Sequence, residues 1–411
     1  MESMRSRKKR AYILFVLVMS IFTVLFFVAF SRNPLGLQMN VFFGGTRDLF
    51  ADIFNVGRYA AQPNPYIGEN RVDLVYLPFS YMIMLFFARV GGFVVQDTPY
   101  TLHFLVASLF VSFSTMIFFL QLFHMTEGRT VKKLLLAFIL INSSIYLFSF
   151  ERGNNILLSA ICLLFFIINY NHENKYIREV ALVLLAFSVG LKVYPGVFAL
   201  LLLYERRYKE IVRFSIYTFV VVFAPFFAFE GGLSNVRELI SNLGESTNSY
   251  RLGSFKRFGI GYAIRDGLLS GNSERINVDK LILFERVTMV LSALSICVSF
   301  FIKTRWKLIA ILTCVLIMLP VNSAFYCGLY FLPVVIMFLD QAADSDSRSP
   351  IFWIYLILFI AILIPFQFGS ISHQLPNICM IIVWFMLIAD GVRSVISWII
   401  KRVSIGKECT Q

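Results

Sequence analysis

The feature that most constrains this sequence is a succession of apolar segments along nearly all of its 411 residues. A helix needs about 20 mostly apolar residues to cross the hydrocarbon core of a bilayer. The candidate segments are approximately 11–30, 75–95, 101–123, 134–150, 154–169, 179–204, 211–229, 286–302, 308–320, 325–339, 351–366 and 377–398. With 58% apolar and 15% charged residues, the composition excludes a soluble enzyme, a disordered chain and a receptor with a single anchor. The sequence predicts a polytopic membrane protein.

Helices satisfy their own backbone hydrogen bonds in lipid, so the sequence predicts an all-α transmembrane bundle of about twelve spans. We expect one membrane domain over residues 1–411, because no linker divides the chain. Two polar segments, 31–74 and 230–285, are predicted to lie outside the membrane. The first precedes the core helices of 75–229, and the second separates them from the C-terminal helices of 286–411. Some spans must then be short or broken, notably at 134–150, Lys192–Pro195 and Pro320–Ala324.

The basic residues indicate an orientation in the membrane. The chain carries 37 Lys and Arg against 24 Asp and Glu, a net charge of +13, and these residues concentrate near the termini and in short turns. The relevant residues are Arg5, Arg7, Lys8, Lys9, Arg10, Arg206, Arg207, Lys209, Lys303, Arg305, Lys307, Lys401, Arg402 and Lys407. The positive-inside rule puts them, and both termini, in the cytoplasm. This explanation of the charge is preferred over nucleic-acid binding.

One part of this topology conflicts with simple counting. Basic residues place the loops 124–133 and 170–178 inside, whereas counting spans from residue 31 places both outside. The conflict disappears if 75–123 crosses an odd number of times and 179–204 is a broken hairpin that turns at Lys192–Pro195.

Two acids in the first outer segment are candidates for catalysis. Asp48 and Asp52 are four residues apart and would share a face of a helix. A carboxylate near the outer membrane surface can act as a general base toward a sugar hydroxyl. The alternative is that both acids only cap or solubilise a short interfacial helix.

Two further polar sites interrupt apolar sequence. Between two apolar runs lie Glu151, Arg152, Gly153, Asn154 and Asn155, as a functional site or as a plain turn. Lys192 lies inside an apolar stretch, just before Tyr194 and Pro195. A cation at a broken membrane helix is a candidate site for an anionic group, and the alternative is a lysine that snorkels to the interface.

The second outer segment and a later break complete the candidate residues. Arg251, Lys256, Arg257 and Arg265 occur among glycines and aromatics, where they would hold a lipid phosphate or a glycan, or rest on anionic headgroups. Pro320, Asn322, Ser323, Tyr326 and Tyr330 form a polar break that lines the same cavity or is a simple turn. The four histidines and six cysteines have no metal-ligand spacing, and no nucleotide-binding motif is present.

Four motifs in order resemble glycosyltransferase family 87: RDLFADIFNVGRYAAQPNPY, VYLPFSY, ERGNNILLSA and GLKVYPGVFALLLLYERR. ERGN and KVYP are also similar to landmarks in the catalytic subunit of GPI mannosyltransferase I. Both groups belong to the GT-C class, which implies a GT-C-like helical bundle. The resemblance covers roughly residues 40–340 and aligns the catalytic acid of family 87 with Asp52, with Asp48 as the second choice.

The resemblance implies an inverting transfer of a hexose, mannose in the first instance, from a polyprenyl-phosphate donor to a glycan or lipid acceptor. The donor phosphate would meet the basic residues Lys192, Arg152, Arg251, Lys256 and Arg257, and the cavity would be lined by Tyr194, Asn154, Ser323 and Tyr326. No cofactor is evident, although a divalent cation between Asp52 and the phosphate stays open. We expect the outer face of a bacterial cytoplasmic membrane. The alternative function is a transporter or flippase of lipid-linked sugars.

Overall fold

The fold is built from helices, as the sequence predicts. The computed structural model describes residues 2–32, 49–92, 100–251, 257–268, 278–321, 323–341, 349–365 and 374–408. Across these ranges, extended pairing amounts to an isolated bridge between Arg257 and Ala324. The all-α prediction is therefore confirmed.

The described part of the chain forms sixteen α-helices of five or more residues. In chain order they are α1 (Glu2–Arg32), α2 (Ala51–Ala60), α3 (Pro78–Gly91), α4 (Tyr100–Met125), α5 (Thr130–Ile141), α6 (Ser144–Arg152), α7 (Ile156–Asn169), α8 (Lys175–Leu191), α9 (Leu200–Tyr204), α10 (Tyr208–Phe223), α11 (Asn235–Arg251), α12 (Val278–Ser299), α13 (Arg305–Met318), α14 (Leu332–Gln341), α15 (Pro350–Leu363) and α16 (Leu375–Glu408). Short 3₁₀ helices at Arg71–Asp73, Tyr194–Ala199 and Phe325–Phe331 precede α3, α9 and α14.

Five helical stretches in the described ranges are long and apolar enough to cross a membrane: Lys9–Arg32, Leu102–Met125, Tyr208–Ala228, Val278–Ser299 and Leu375–Arg402. A sixth results if α5 and α6, which meet at 60°, form one bent span. Their outward side chains are apolar and exposed, for example Phe113, Phe219 and Val290, as expected of surfaces in contact with lipid. The chain is a membrane protein. The other apolar helices have only 10–17 residues, so the predicted count of about twelve spans is not confirmed.

The basic turns meet at one end of the bundle, which we call the basic end. The Tyr12 hydroxyl donates to the Lys132 carbonyl over 3.1 Å, and Lys132 pairs with Asp340 at the end of α14. Nearby, Trp306 at the start of α13 packs edge-on against Phe338, with ring centroids 5.1 Å apart. The part of α1 around Tyr12 and the first turns of α5 and α13 therefore lie together, although they are far apart in sequence.

Helix α4 connects the basic end to the opposite end, which holds Asp52 and which we call the Asp52 end. Near the start of α4, Phe104 packs on Phe50, with ring centroids 5.4 Å apart. Just after the end of α4, the Glu127 amide donates to Asp340 over 2.9 Å. The 26 residues of α4 thus make one passage, and the 124–133 loop lies at the basic end, where its charges predict it.

The structure contains the broken hairpin over 179–204 that the charges require. Helix α8 ends at Leu191, and Lys192 adopts an extended conformation before the 3₁₀ helix at Tyr194–Ala199. The chain then returns to its starting level, where Arg207 donates to the Tyr170 carbonyl over 2.6 Å. The two arms therefore begin and end at the basic end, and Lys192 lies at the tip.

Small hydroxyl residues hold α8 close to α7 below this tip. The Ser159 and Ser188 hydroxyl oxygens are 2.8 Å apart, and each donates to the other residue's carbonyl, over 3.1 and 2.8 Å. The Tyr330 hydroxyl donates to Ser159 over 2.7 Å. Small residues allow membrane helices to approach closely, so this contact fixes the height at which the hairpin turns.

Candidate functional site

The start of α2 is locked against the turn between α6 and α7. Phe50 precedes α2 in the left-handed conformation, with φ 58°, which is uncommon for a bulky residue. Its amide donates to the Glu151 carbonyl over 2.7 Å. A Cβ placed on Gly153, whose φ is +61°, would lie 3.3 Å from the Phe50 ring. The glycine therefore permits the close approach that puts Asp52, in the first turn of α2, over this turn.

Asp52 is held on both oxygens by the ERGN motif. The Arg152 guanidinium pairs with Oδ1 of Asp52, and the Asn154 amide donates to Oδ2 over 2.7 Å. Both members of the ion pair are 13% exposed. The Asn154 Oδ1 accepts a hydrogen bond from the Ile156 amide over 2.9 Å, which fixes the asparagine at the start of α7. The motif thus orients a carboxylate that lies about 100 residues earlier in the chain.

Lys192 faces the same cluster from the tip of the hairpin. Its side chain is 9% exposed, and its Nζ lies 4.5 Å from the Tyr76 ring centroid and 5.8 Å from that of Tyr326. Among the residues with described structure, Lys192 forms no hydrogen bond through its side chain and no ion pair. Aromatic faces stabilise a cation without neutralising it, so Lys192 retains donors for an anionic ligand.

Tyr76 is a site residue that the candidate list missed. Its hydroxyl accepts a long hydrogen bond of 3.4 Å from Asn154, and its ring contacts Lys192. Burial, followed by the nearby Asp52 carboxylate, raises the pKa of the Tyr76 phenol well above its ordinary value, so the hydroxyl stays protonated. Tyr76 belongs to the VYLPFSY motif, whose place between Asp52 and ERGN was the available signal.

The second outer segment lies beside this cluster but is engaged elsewhere. Arg251 pairs with both carboxylate oxygens of Glu285, over 2.9 and 3.0 Å. Arg257 is buried, donates to the Tyr250 carbonyl over 2.6 Å and stacks 3.8 Å from the Tyr262 ring centroid. The sequence did not indicate that Arg251 would pair with Glu285 or that Arg257 would stack on Tyr262. Asp48, Lys256 and Asn322 lie outside the described residues.

The remaining candidates lie around the broken spans. Ser323 is buried, and its carbonyl accepts from the Phe258 amide over 2.9 Å. Tyr326 contacts Lys192, whereas Tyr194 is partly buried against the core, two residues beyond Lys192. The structure therefore brings together Asp52, Arg152, Asn154, Lys192 and Tyr326, and it places Ser323 next to the second outer segment.

The first outer segment is tied to α11 by polar contacts. Asp73 accepts hydrogen bonds from Asn70 over 2.6 Å, from Tyr59 on α2 over 3.4 Å, and from Tyr250 near the end of α11. The buried Asn242 amide donates to the Leu74 carbonyl over 3.1 Å. Burial, followed by the Asp73 carboxylate, raises the pKa of the Tyr250 phenol. These contacts connect the helix of Asp52 with the segment that carries Arg257.

Comparison with known families identifies the chain. A family model described as Glycosyltransferase family 87 matches residues 74–319, more than half of the sequence. The chain belongs to glycosyltransferase family 87. The match confirms the resemblance seen in the motifs and includes Arg152, Asn154 and Lys192, whereas Asp52 precedes it. No curated protein and no solved structure matches the chain.

Membership in family 87 makes the chain a membrane glycosyltransferase, with a sugar donor and an acceptor as substrates. The likeness of ERGN and KVYP to the GPI enzyme stays a prediction. In the part of this family 87 chain that the structure describes, no group of three or more His, Cys, Asp or Glu side chains is placed to hold a metal ion.

Proposed function

We propose that this family 87 enzyme transfers a hexose, with mannose as the sugar, from a polyprenyl-phosphate donor to a glycan or lipid acceptor. The observation that carries the proposal is the pairing of a general-base candidate with a buried cation in one cluster. Asp52 is oriented by Arg152 and Asn154, and Lys192 approaches without a carboxylate bound to it in the described structure. A hydroxyl nucleophile and a phosphate leaving group require such a pair.

In the proposed reaction, the acceptor oxygen attacks the anomeric carbon while Asp52 takes the hydroxyl proton. The bond between the anomeric carbon and the phosphate oxygen breaks, and the phosphate leaves with the electron pair. Lys192 donates charge-assisted hydrogen bonds to that phosphate, and Arg152 and Arg257 supply further positive charge. Direct displacement of this kind inverts the anomeric configuration.

The proposed location is the outer face of a bacterial cytoplasmic membrane. The basic turns gather at the end opposite Asp52, and the positive-inside rule assigns that end to the cytoplasm. Both termini are then cytoplasmic, because α16 runs toward the basic end. Near its start, Asn377 accepts a hydrogen bond from the Gly259 amide over 3.0 Å. Farther along, Asp390 pairs with Lys307 of the basic end over 2.8 Å. We also propose that the shorter apolar helices complete further crossings, to about twelve.

The deciding experiment offers the purified protein a panel of polyprenyl-phosphate sugars with candidate acceptors. We expect product from a polyprenyl-phosphate hexose, and at least a hundredfold lower kcat for Asp52→Asn with donor binding retained. Asp279→Asn, an exposed acid at the same end of the bundle, is the matched control and should keep full activity. A wild-type protein that moves lipid-linked sugar across vesicles but forms no product would support the flippase alternative instead.

A further inference from the structure

Lys192, which is buried, differs in its surroundings from two partly buried lysines of the chain. Lys132 pairs with Asp340, and Lys307 with Asp390 over 2.8 Å. Lys192 instead lies between the rings of Tyr76 and Tyr326. A bound carboxylate would neutralise the ammonium and occupy its donors, whereas a ring face attracts the charge and leaves it effective toward a ligand.

Tyr76 is the residue that reaches both halves of the cluster. Its ring lies under the Lys192 ammonium, and its hydroxyl lies 3.4 Å from the Asn154 amide nitrogen that also holds Asp52. The Tyr76 backbone is itself anchored, because its carbonyl accepts the Tyr66 hydroxyl over 3.2 Å. One rigid aromatic side chain thus spans the distance between the cation and the carboxylate.

We propose that Tyr76 is a positioning residue for the transfer reaction, whose ring directs Lys192 toward the donor phosphate and whose hydroxyl, through Asn154, directs Asp52 toward the acceptor. The proposal rests on the function proposed above. Holding two reacting groups at a fixed separation removes part of the entropic barrier to reaction. Tyr76 touches neither the anomeric carbon nor the transferred proton.

Two substitutions distinguish the role of the Tyr76 ring from the role of its hydroxyl. Tyr76→Phe keeps the ring and removes the hydroxyl, so we expect donor KM within about twofold of wild type and kcat lower by several-fold. Tyr76→Leu removes the ring as well, so donor KM should rise roughly tenfold to thirtyfold, the range of a desolvated cation–π contact. Equal donor KM values for the Leu variant and the wild type would overturn the proposal.

A double-mutant cycle shows whether Tyr76 acts through Lys192. In a Lys192→Met background, Tyr76→Leu should leave donor KM unchanged, because the contact it removes no longer exists. Additive effects would contradict the proposed route. Tyr326→Leu removes the second, more distant ring and should raise donor KM by a smaller factor, which tests the same idea if Tyr76→Leu fails to fold.

Tyr170 provides a matched control at the basic end. Its ring lies 5.5 Å from Arg305 and 6.0 Å from Arg207, so Tyr170→Leu removes cation–π contacts away from the Asp52 end. We expect a lower melting temperature with unchanged donor KM. A purely structural role for Tyr76 predicts that Tyr76→Leu behaves in the same way, and that result would overturn the proposal.

A binding measurement separates this proposal from the proposed function. Geranyl phosphate, titrated calorimetrically into the full-length protein, reports on the cation site without turnover. Weaker geranyl phosphate binding in Tyr76→Leu and Lys192→Met, but not in Tyr76→Phe, supports the positioning role. This holds even if the enzyme turns over no polyprenyl-phosphate sugar, because missing turnover counts against the proposed function alone. Normal wild-type turnover, with geranyl phosphate binding that is weaker in Lys192→Met but unchanged in Tyr76→Leu, would reject the positioning role alone.

Discussion

The Asp52 carboxylate is paired with the Arg152 guanidinium, 100 residues later in the sequence. The pair joins α2, the helix within the first outer segment, to the turn between the core helices α6 and α7. Because both side chains are largely withdrawn from water, removing one member leaves a poorly solvated charge on the other.

Arg152→Met should therefore lower the free energy of unfolding by about 3 kcal/mol and reduce kcat strongly, since Asp52 loses its orientation. The double variant Asp52→Asn/Arg152→Met should recover much of that stability while staying inactive. Thermal unfolding in detergent, with a transfer assay on each variant, measures both effects. Additive effects, with the Asp52→Asn single variant measured as well, would show that the pair contributes no coupling.

Gly153→Ala tests the close approach of α2 to the turn. Gly153 has a φ of +61°, and an added Cβ would lie 3.3 Å from the Phe50 ring. Both features oppose a side chain at this position, so we expect about 1–2 kcal/mol of destabilisation and reduced kcat. The matched control is Gly244→Ala in α11, where an added Cβ meets no atom within 4 Å. That change should be neutral or stabilising, because alanine favours a helix.

Tyr250→Phe tests the tether between the two outer segments. The variant loses the hydroxyl bond to the Asp73 carboxylate, a bond to a charged group that is worth about 1.5 kcal/mol. The melting temperature in detergent should fall by a few degrees. Asp73→Asn should produce a similar change, whereas opposite effects of the two substitutions would argue against a shared bond.

A chelator tests the divalent cation that the sequence left open. Both Asp52 oxygens already accept from Arg152 and Asn154, so a positive group stands where a bridging ion would have to bind. We expect EDTA to leave the transfer rate unchanged. A rate that falls with EDTA and returns with Mg²⁺ or Mn²⁺ would require the Arg152 pair to open during turnover.

Much of the cluster follows from the sequence because charge in apolar sequence is conspicuous. Arg152 and Lys192 stand out for that reason, and Pro195 marks the break that sets Lys192 at a tip. Asp52 lies in a polar segment and is indicated instead by its spacing from Asp48 and by the resemblance to family 87. Tyr76 carries no such signal, since it is one of 18 tyrosines and its role depends on a lysine more than 100 residues away.

It is harder to predict from sequence which charged side chains pair and which helices cross from one end of the bundle to the other. Arg251 pairs with Glu285, 34 residues later, and no local pattern distinguishes that acid from its neighbours. The 75–204 topology likewise depended on contacts such as Arg207 with Tyr170, which join residues 37 positions apart. Charges in loops pointed to the right arrangement, but only the fold shows which helices pass from one end to the other.

The hairpin of α8 and α9 also bears on how the protein is made. A lone helix carrying Lys192 deep in lipid would insert poorly, at a penalty of about 2.5–3.5 kcal/mol for the charge. Because both arms start and finish at the basic end, they can enter the bilayer together, with the lysine leading toward the far side. Biogenesis would then handle these 30 residues as one insertion unit, and truncating the chain between the arms during synthesis should leave α8 uninserted.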